Sequence, residues 1–115
     1  MDISEIQDFC TSLPHVESEI KWKSDLVFMI ARKMFCVIDL EAIPTSVAFK
    51  VPHDDYDEIS TRDNFKPAPY FAKNKWVTVI DIEKFRRSEA EFFIQQSYEL
   101  VKVKLPKKIR LEMGL

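Results

Sequence analysis

The stretch LVFMIARKMFCVIDL, residues 26–40, decides the fold of this chain. It contains two apolar runs, and the charged pair Arg32 and Lys33 lies between them. Apolar runs of this length around a two-residue polar break are typical of two antiparallel strands joined by a tight turn. The stretch therefore predicts a buried β-hairpin, although it lacks the Asn-Gly pair that favours such turns.

Shorter segments with strand character lie on both sides of this hairpin. Before it, Ile20 and Trp22 alternate with lysines, and after it residues 46–51 form an apolar segment bounded by prolines. Further along, residues 76–82 alternate between two faces. Short strands joined by tight turns predict an antiparallel sheet, here of about five strands.

Two long helices are predicted from capping boxes followed by apolar residues at helical spacing. Ser4 with Gln7 precedes the first helix, and Ser88 with Glu91 precedes the second. In such a box a side chain on each side of the first turn accepts a backbone N–H that would otherwise have no partner. Both helices carry one apolar stripe, which predicts that each packs on the sheet.

The remaining segments complete the predicted order. Residues 53–60 are rich in acids, which favour the first turn of a helix, and residues 61–74 are interpreted as a loop. Pro106 can occupy the first turn of a short last helix. We therefore expect a single α+β domain over residues 1–115, in the order α-β-β-β-β-α-β-α-α. It would be a two-layer sandwich with the helices on one face of the sheet.

Composition excludes several classes of protein. The chain has 115 residues, of which 46% are hydrophobic and 31% charged, as in a soluble globular domain. Its one glycine, Gly114, excludes a glycine-rich phosphate loop. Residues 1–65 contain 6 Lys/Arg and 13 Asp/Glu, whereas residues 66–115 contain 11 and 6. This asymmetry points towards an anionic partner for the second half.

The cysteines and histidines of the chain form no catalytic or metal-binding motif. We expect Cys10 and Cys36 to be reduced, partly buried thiols. His15 and His53 have no nucleophile or carboxylate at a spacing typical of a catalytic or metal site. We therefore expect that the protein is not an enzyme and that it binds neither a metal nor a cofactor. The acidic start and the short apolar runs predict a cytoplasmic protein without a signal peptide or a membrane span.

Residues 66–76 interleave lysines with aromatic side chains. Such a segment suits nucleic-acid binding, with Lys73 and Lys75 on phosphates and Trp76 or Tyr70 as a stacking surface. The alternative is that the aromatic side chains hold a long loop on the core while the lysines stay in water. Both interpretations remain open.

The C-terminal tail is the densest basic stretch. Lysines there can complement the C-terminal dipole of a helix, or they can form a phosphate-binding patch, and the sequence favours neither. The candidate contacts in this tail are Lys102, Lys104, Lys107, Lys108 and Arg110.

Several motifs together resemble the MmcQ/YjbR family. They are QSYELV at residues 96–101, KLPKKIR at 104–110 and WVTV at 76–79, preceded by KMF at 33–35 and FK at 49–50. The resemblance implies a small α+β fold similar to secretion chaperones. It also implies DNA binding, because the family is generally labelled so, and it carries no catalytic residue over to this chain.

The chain departs from the family pattern at two turns. His15 follows Leu-Pro where the family often has glycine, and Arg32 precedes the hairpin lysine where the family often has glycine. We expect a monomeric domain that binds duplex DNA weakly through phosphates, with little base readout. The alternative is a protein-interaction module that binds a protein partner through an open sheet face or edge.

Overall fold

The computed structural model describes residues 1–69 and 72–115, which contain four α-helices, three short 3-10 helices and six strands. In chain order the α-helices and strands are α1 (Ile3–Ser12), β1 (Val16–Lys21), β2 (Asp25–Ile30), β3 (Lys33–Asp39), β4 (Ser46–Lys50), α2 (Tyr56–Ser60), β5 (Phe65–Pro67), β6 (Trp76–Val79), α3 (Arg87–Lys102) and α4 (Lys107–Glu112). The strands form one antiparallel sheet in the order β1-β2-β3-β4-β6-β5. The predicted α+β class and the antiparallel sheet are confirmed.

The predicted hairpin is β2 with β3, and its turn consists of Ala31 and Arg32. Both turn residues have positive φ, 50° and 66°, which is the sign that a type I′ turn requires. The strands pair Phe28 with Cys36 and Met29 with Met34, so Phe35 is an extra residue in a β-bulge. The bulge lets Phe35 and Cys36 both lie in the main core.

Positive φ is costly for a residue with a Cβ atom, so the turn offers a stabilising substitution. We expect Arg32→Gly to raise the free energy of unfolding by about 1 kcal/mol, because glycine adopts the left-handed region without the steric penalty. Urea denaturation followed by circular dichroism measures this. Lys33→Gly is the matched control, since the next residue is in β3 and should lose about 0.5–1 kcal/mol. A loss of stability in Arg32→Gly would show that its backbone is not strained.

Residues 61–74, predicted as a loop, contain β5, a strand that the sequence did not predict. β5 pairs with β6 and is only three residues long. The Asn64 side chain holds its start, because its Nδ2 donates to the Asp81 carbonyl and its Oδ1 accepts the Asp81 N–H, both at 3.0 Å. A strand this short, in a segment rich in prolines, has no alternation for a sequence pattern to detect.

The N-terminal cap of α1 lies two residues before the predicted one. Asp2 Oδ1 accepts the Glu5 N–H at 2.8 Å, and Glu5 Oε1 accepts the Asp2 N–H at 3.0 Å, so Asp2 and Glu5 form the capping box. The prediction of Ser4 with Gln7 was wrong, because both pairs have the required spacing.

The second predicted capping box is also wrong. α3 begins at Arg87, one residue before the predicted cap Ser88, and its N-cap residue Arg86 makes no side-chain cap hydrogen bond. The predicted apolar stripe of α3 is nevertheless correct, since Ala90 and Ser97 are fully buried against the sheet.

The main core lies between the sheet and the helices. Its centre is a group of phenylalanine rings in which Phe93 and Phe85 stack on Phe49, with ring centroids 5.5 and 6.0 Å apart. Phe65 meets Phe85 and Phe93 edge-on. Cys10 and Cys36 lie in this core as free thiols, and burial with the adjacent Cys10 raises the pKa of Cys36 well above its ordinary value.

A smaller apolar cluster lies on the opposite face of the sheet. There Val27, Met29 and Val37 pack with Ala68 and Trp76, and all five are buried. Ala68, which follows β5, therefore covers part of this face. Over the same described residues, we find no helix that could cross a membrane.

Candidate nucleic-acid interface

One buried hydroxyl joins α3 to two strands at one end of the sheet. Ser97 Oγ donates to the Phe35 carbonyl at 2.6 Å and accepts the Lys50 N–H at 2.9 Å. Phe35 is the bulged residue of β3, and Lys50 is the last residue of β4. The hydroxyl therefore satisfies two backbone groups that the sheet ladder leaves free, and it fixes the point where Lys50 leaves the sheet.

Five lysines meet at this end of the sheet. Lys33 begins β3 and Lys50 ends β4. Because these strands are antiparallel, both lysines lie at the same end of the sheet. Lys73 and Lys75 precede β6, and Lys104 follows α3. We call this group the cleft lysines.

The cleft lysines line two adjacent cavities that share Lys50, Asn74 and Lys104. The first, which we call the apolar cavity, has a volume of about 330 Å³. Its described lining residues are Lys33, Met34, Lys50, Asn74, Trp76, Val101, Lys104 and Leu105. The second, the cationic cavity, has a volume of about 440 Å³. Its described lining residues are Lys50, Val51, Pro52, His53, Lys73, Asn74, Lys75, Leu100 and Lys104.

The electrostatics of these cavities favour an anion. Burial and the neighbouring Lys104 lower the pKa of Lys50, as expected where two ammonium groups face each other. No carboxylate is among the described lining residues of either cavity. Among the described ion pairs none includes a cleft lysine, and Lys75 lies over the Tyr56 ring, 4.9 Å from its centroid. A bound phosphate would relieve the repulsion between the ammonium groups of Lys50 and Lys104.

Three of the predicted contact residues lie in the cleft. Lys73 and Lys75 come from the aromatic segment, and Lys104 comes from the basic tail. The two segments that were separate candidates in the sequence therefore meet on one surface, with Lys50 between them.

The other predicted tail residues do not line the cleft. Lys102 Nζ pairs with Glu99 Oε2 at 2.8 Å and lies over the Tyr98 ring. Lys107 and Lys108 are exposed in the first turn of α4, and Arg110 is half-buried. The structure thus divides the predicted basic patch into the cleft and a separate group on α4.

The predicted stacking role of Trp76 needs correction. Its ring is only 6% exposed, because β6 turns it towards the second face of the sheet, opposite Val77. An incoming base would find little of the ring face, although Trp76 contributes to the wall of the apolar cavity. Tyr70, the other predicted stacking residue, lies outside the described residues.

The sequence interpretation missed Lys33, Lys50, His53 and Asn74 as site residues. A signal for two of them was present, since Lys33 follows the hairpin turn and Lys50 ends the next strand. Antiparallel pairing puts the start of one strand beside the end of its neighbour. Both lysines could therefore have been assigned to the same end of the sheet.

Comparisons with known proteins identify the fold. A model of the YjbR family matches residues 11–100. Three chains of solved structures match, among them a Deinococcus radiodurans protein with a DUF419 domain, at 24% identity and a TM-score of 0.87. That match covers 98% of this chain and 88% of the other.

A second solved structure, of a protein from Pseudomonas syringae, has 17% identity and a TM-score of 0.73. It covers 87% of this chain and 98% of the other. None of the curated proteins matches this sequence. At these identities the two structures show a common fold.

Proposed function

The chain belongs to the YjbR family, and from this premise we propose that it binds nucleic acid through the phosphate backbone at the cleft lysines. The observation that carries the proposal is the convergence of five lysines whose described surroundings contain no carboxylate partner. Lysine ammonium groups hold phosphates as point charges and give little sequence information. Binding is therefore weak, salt-dependent and largely independent of sequence.

The alternative of a protein-interaction module has less support. It needs an open sheet face or edge for a partner segment. Ala68 packs on part of the second face, while the helices cover the first. A binding role at the lysine cleft also suits the described lining better than catalysis does, since His53 has no carboxylate beside it there.

Charge reversal in the cleft tests the proposal. We expect Lys50→Glu with Lys104→Glu to weaken binding of a fluorescein-labelled DNA duplex at least tenfold, measured by anisotropy in about 50 mM salt. The slope of log affinity against log salt should fall by about 2, since each phosphate contact contributes about 0.9. Circular dichroism checks that the variant is folded.

The matched control reverses the same number of charges outside the cleft. Lys107→Glu with Lys108→Glu changes two exposed lysines of α4 and should cost less than about threefold in affinity. Equal losses in the two double variants would move the site to α4. The absence of wild-type binding at about 50 mM salt, to the duplex and to the same single strand alike, would remove nucleic acid as the partner.

A further inference from the structure

The two cavities of the cleft differ in chemistry. Met34, Val101 and Leu105 contribute apolar surface to the lining of the apolar cavity, and Lys33, Lys50 and Lys104 are its charged lining residues. Its volume of about 330 Å³ is at the lower end of the ~300–1,000 Å³ that small-molecule sites occupy. The cavity therefore suits a small flat group with little charge of its own.

The wall between the cavities is shared. Lys50, Asn74 and Lys104 line both of them, so a ligand that enters the apolar cavity stays within reach of the lysines of the cationic cavity. The Asn74 amide can both donate and accept hydrogen bonds, as the edge of a nucleobase requires. A nucleotide combines these features, since its flat base is joined through a sugar to a phosphate.

We propose that the apolar cavity takes one unpaired nucleobase while the cationic cavity holds the adjoining phosphate, so that the preferred ligand is single-stranded nucleic acid. This inference rests on the proposed function and specifies the ligand class of the same site. In a closed duplex the bases are stacked and paired, and none can leave the helix without a cost in free energy. A single strand offers both the base and the phosphate.

The two tryptophans of the chain make a direct measurement possible. Trp22 is 59% exposed at the turn between β1 and β2, so Trp22→Phe leaves Trp76 as the reporter in the wall of the apolar cavity. Three 12-nucleotide probes are compared in about 50 mM salt: a single strand, its blunt duplex, and an abasic strand with the same phosphates. We expect the single strand to bind at least fivefold more tightly than the other two, and it alone should change the Trp76 emission.

The outcomes separate this inference from the proposed function. Equal affinity for all three probes, with unchanged Trp76 emission, would overturn the base site and leave phosphate binding in place. Failure of all three probes to bind would overturn both.

A cavity-filling variant gives a second, independent measurement. Val101→Phe places a larger side chain in the wall of the apolar cavity and should abolish the preference for the single strand while duplex binding stays within about twofold. Val103→Phe is the matched control, because Val103 is 56% exposed and is not among the lining residues. If Val101→Phe keeps the full preference as a folded protein, the base does not lie in this cavity.

Discussion

Replacing Phe49 with alanine is expected to lower the free energy of unfolding by about 3–5 kcal/mol. The side chain is fully buried in β4, and the rings of Phe93 and Phe85, which also contact each other, both stack against it. Removing the ring leaves a cavity at the centre of the main core and ends both ring contacts. Because a domain of this size has a total stability of about 5–15 kcal/mol, this single substitution removes a large share of it.

Urea denaturation followed by circular dichroism gives the comparison, with Phe92→Ala as the control. Phe92 is next to Phe93 on α3 but is 61% exposed, so the same change should cost less than about 1 kcal/mol. Similar losses in the two variants would show that the ring cluster is not the centre of the core.

Replacing Ser97 with alanine is expected to cost about 2–4 kcal/mol, although the change removes a single atom. The Phe35 carbonyl and the Lys50 N–H both lose their partner at a position without solvent access. Each buried polar group left unsatisfied costs about 1–3 kcal/mol. Thermal denaturation would show the loss as a lower Tm.

The same variant tests whether Ser97 positions the cleft. Without the hydroxyl, β4 is free to shift at Lys50, so we expect DNA affinity to fall several-fold even where the variant is fully folded. Ser88→Ala is the control, since Ser88 is exposed on the same helix and should change neither property. Full affinity and full stability in Ser97→Ala would contradict the positioning role.

The sequence predicted those parts of the fold whose pattern is local. The hairpin of residues 26–40 followed from two continuous apolar runs, and the buried stripe of α3 followed from its periodicity. The first capping box was misplaced because its spacing rule is met by overlapping pairs, Asp2 with Glu5 as well as Ser4 with Gln7. The second was wrong because α3 begins after Arg86 without a side-chain cap. β5 was missed since three residues are too few to show a period.

The candidate site could be predicted only in part, because it is assembled from distant segments. Lys73, Lys75 and Lys104 stood out in basic stretches, whereas Lys50 is a single lysine at the end of an apolar strand. Only the sheet register and the position of α3 bring these residues together. Trp76 was misread for a similar reason, since it follows a segment rich in lysines but packs into the apolar cluster on the second face of the sheet.

The two edges of the sheet have a consequence for the behaviour of the protein at high concentration. An edge strand offers unpaired N–H and C=O groups on which another copy could build an intermolecular ladder. At one edge β5 has three residues and ends in Pro67, which lacks an N–H. At the other, β1 carries Glu17 and Glu19, which would face each other if two copies paired in antiparallel fashion about Ser18. Both edges therefore oppose ordered aggregation and favour a protein that stays dispersed.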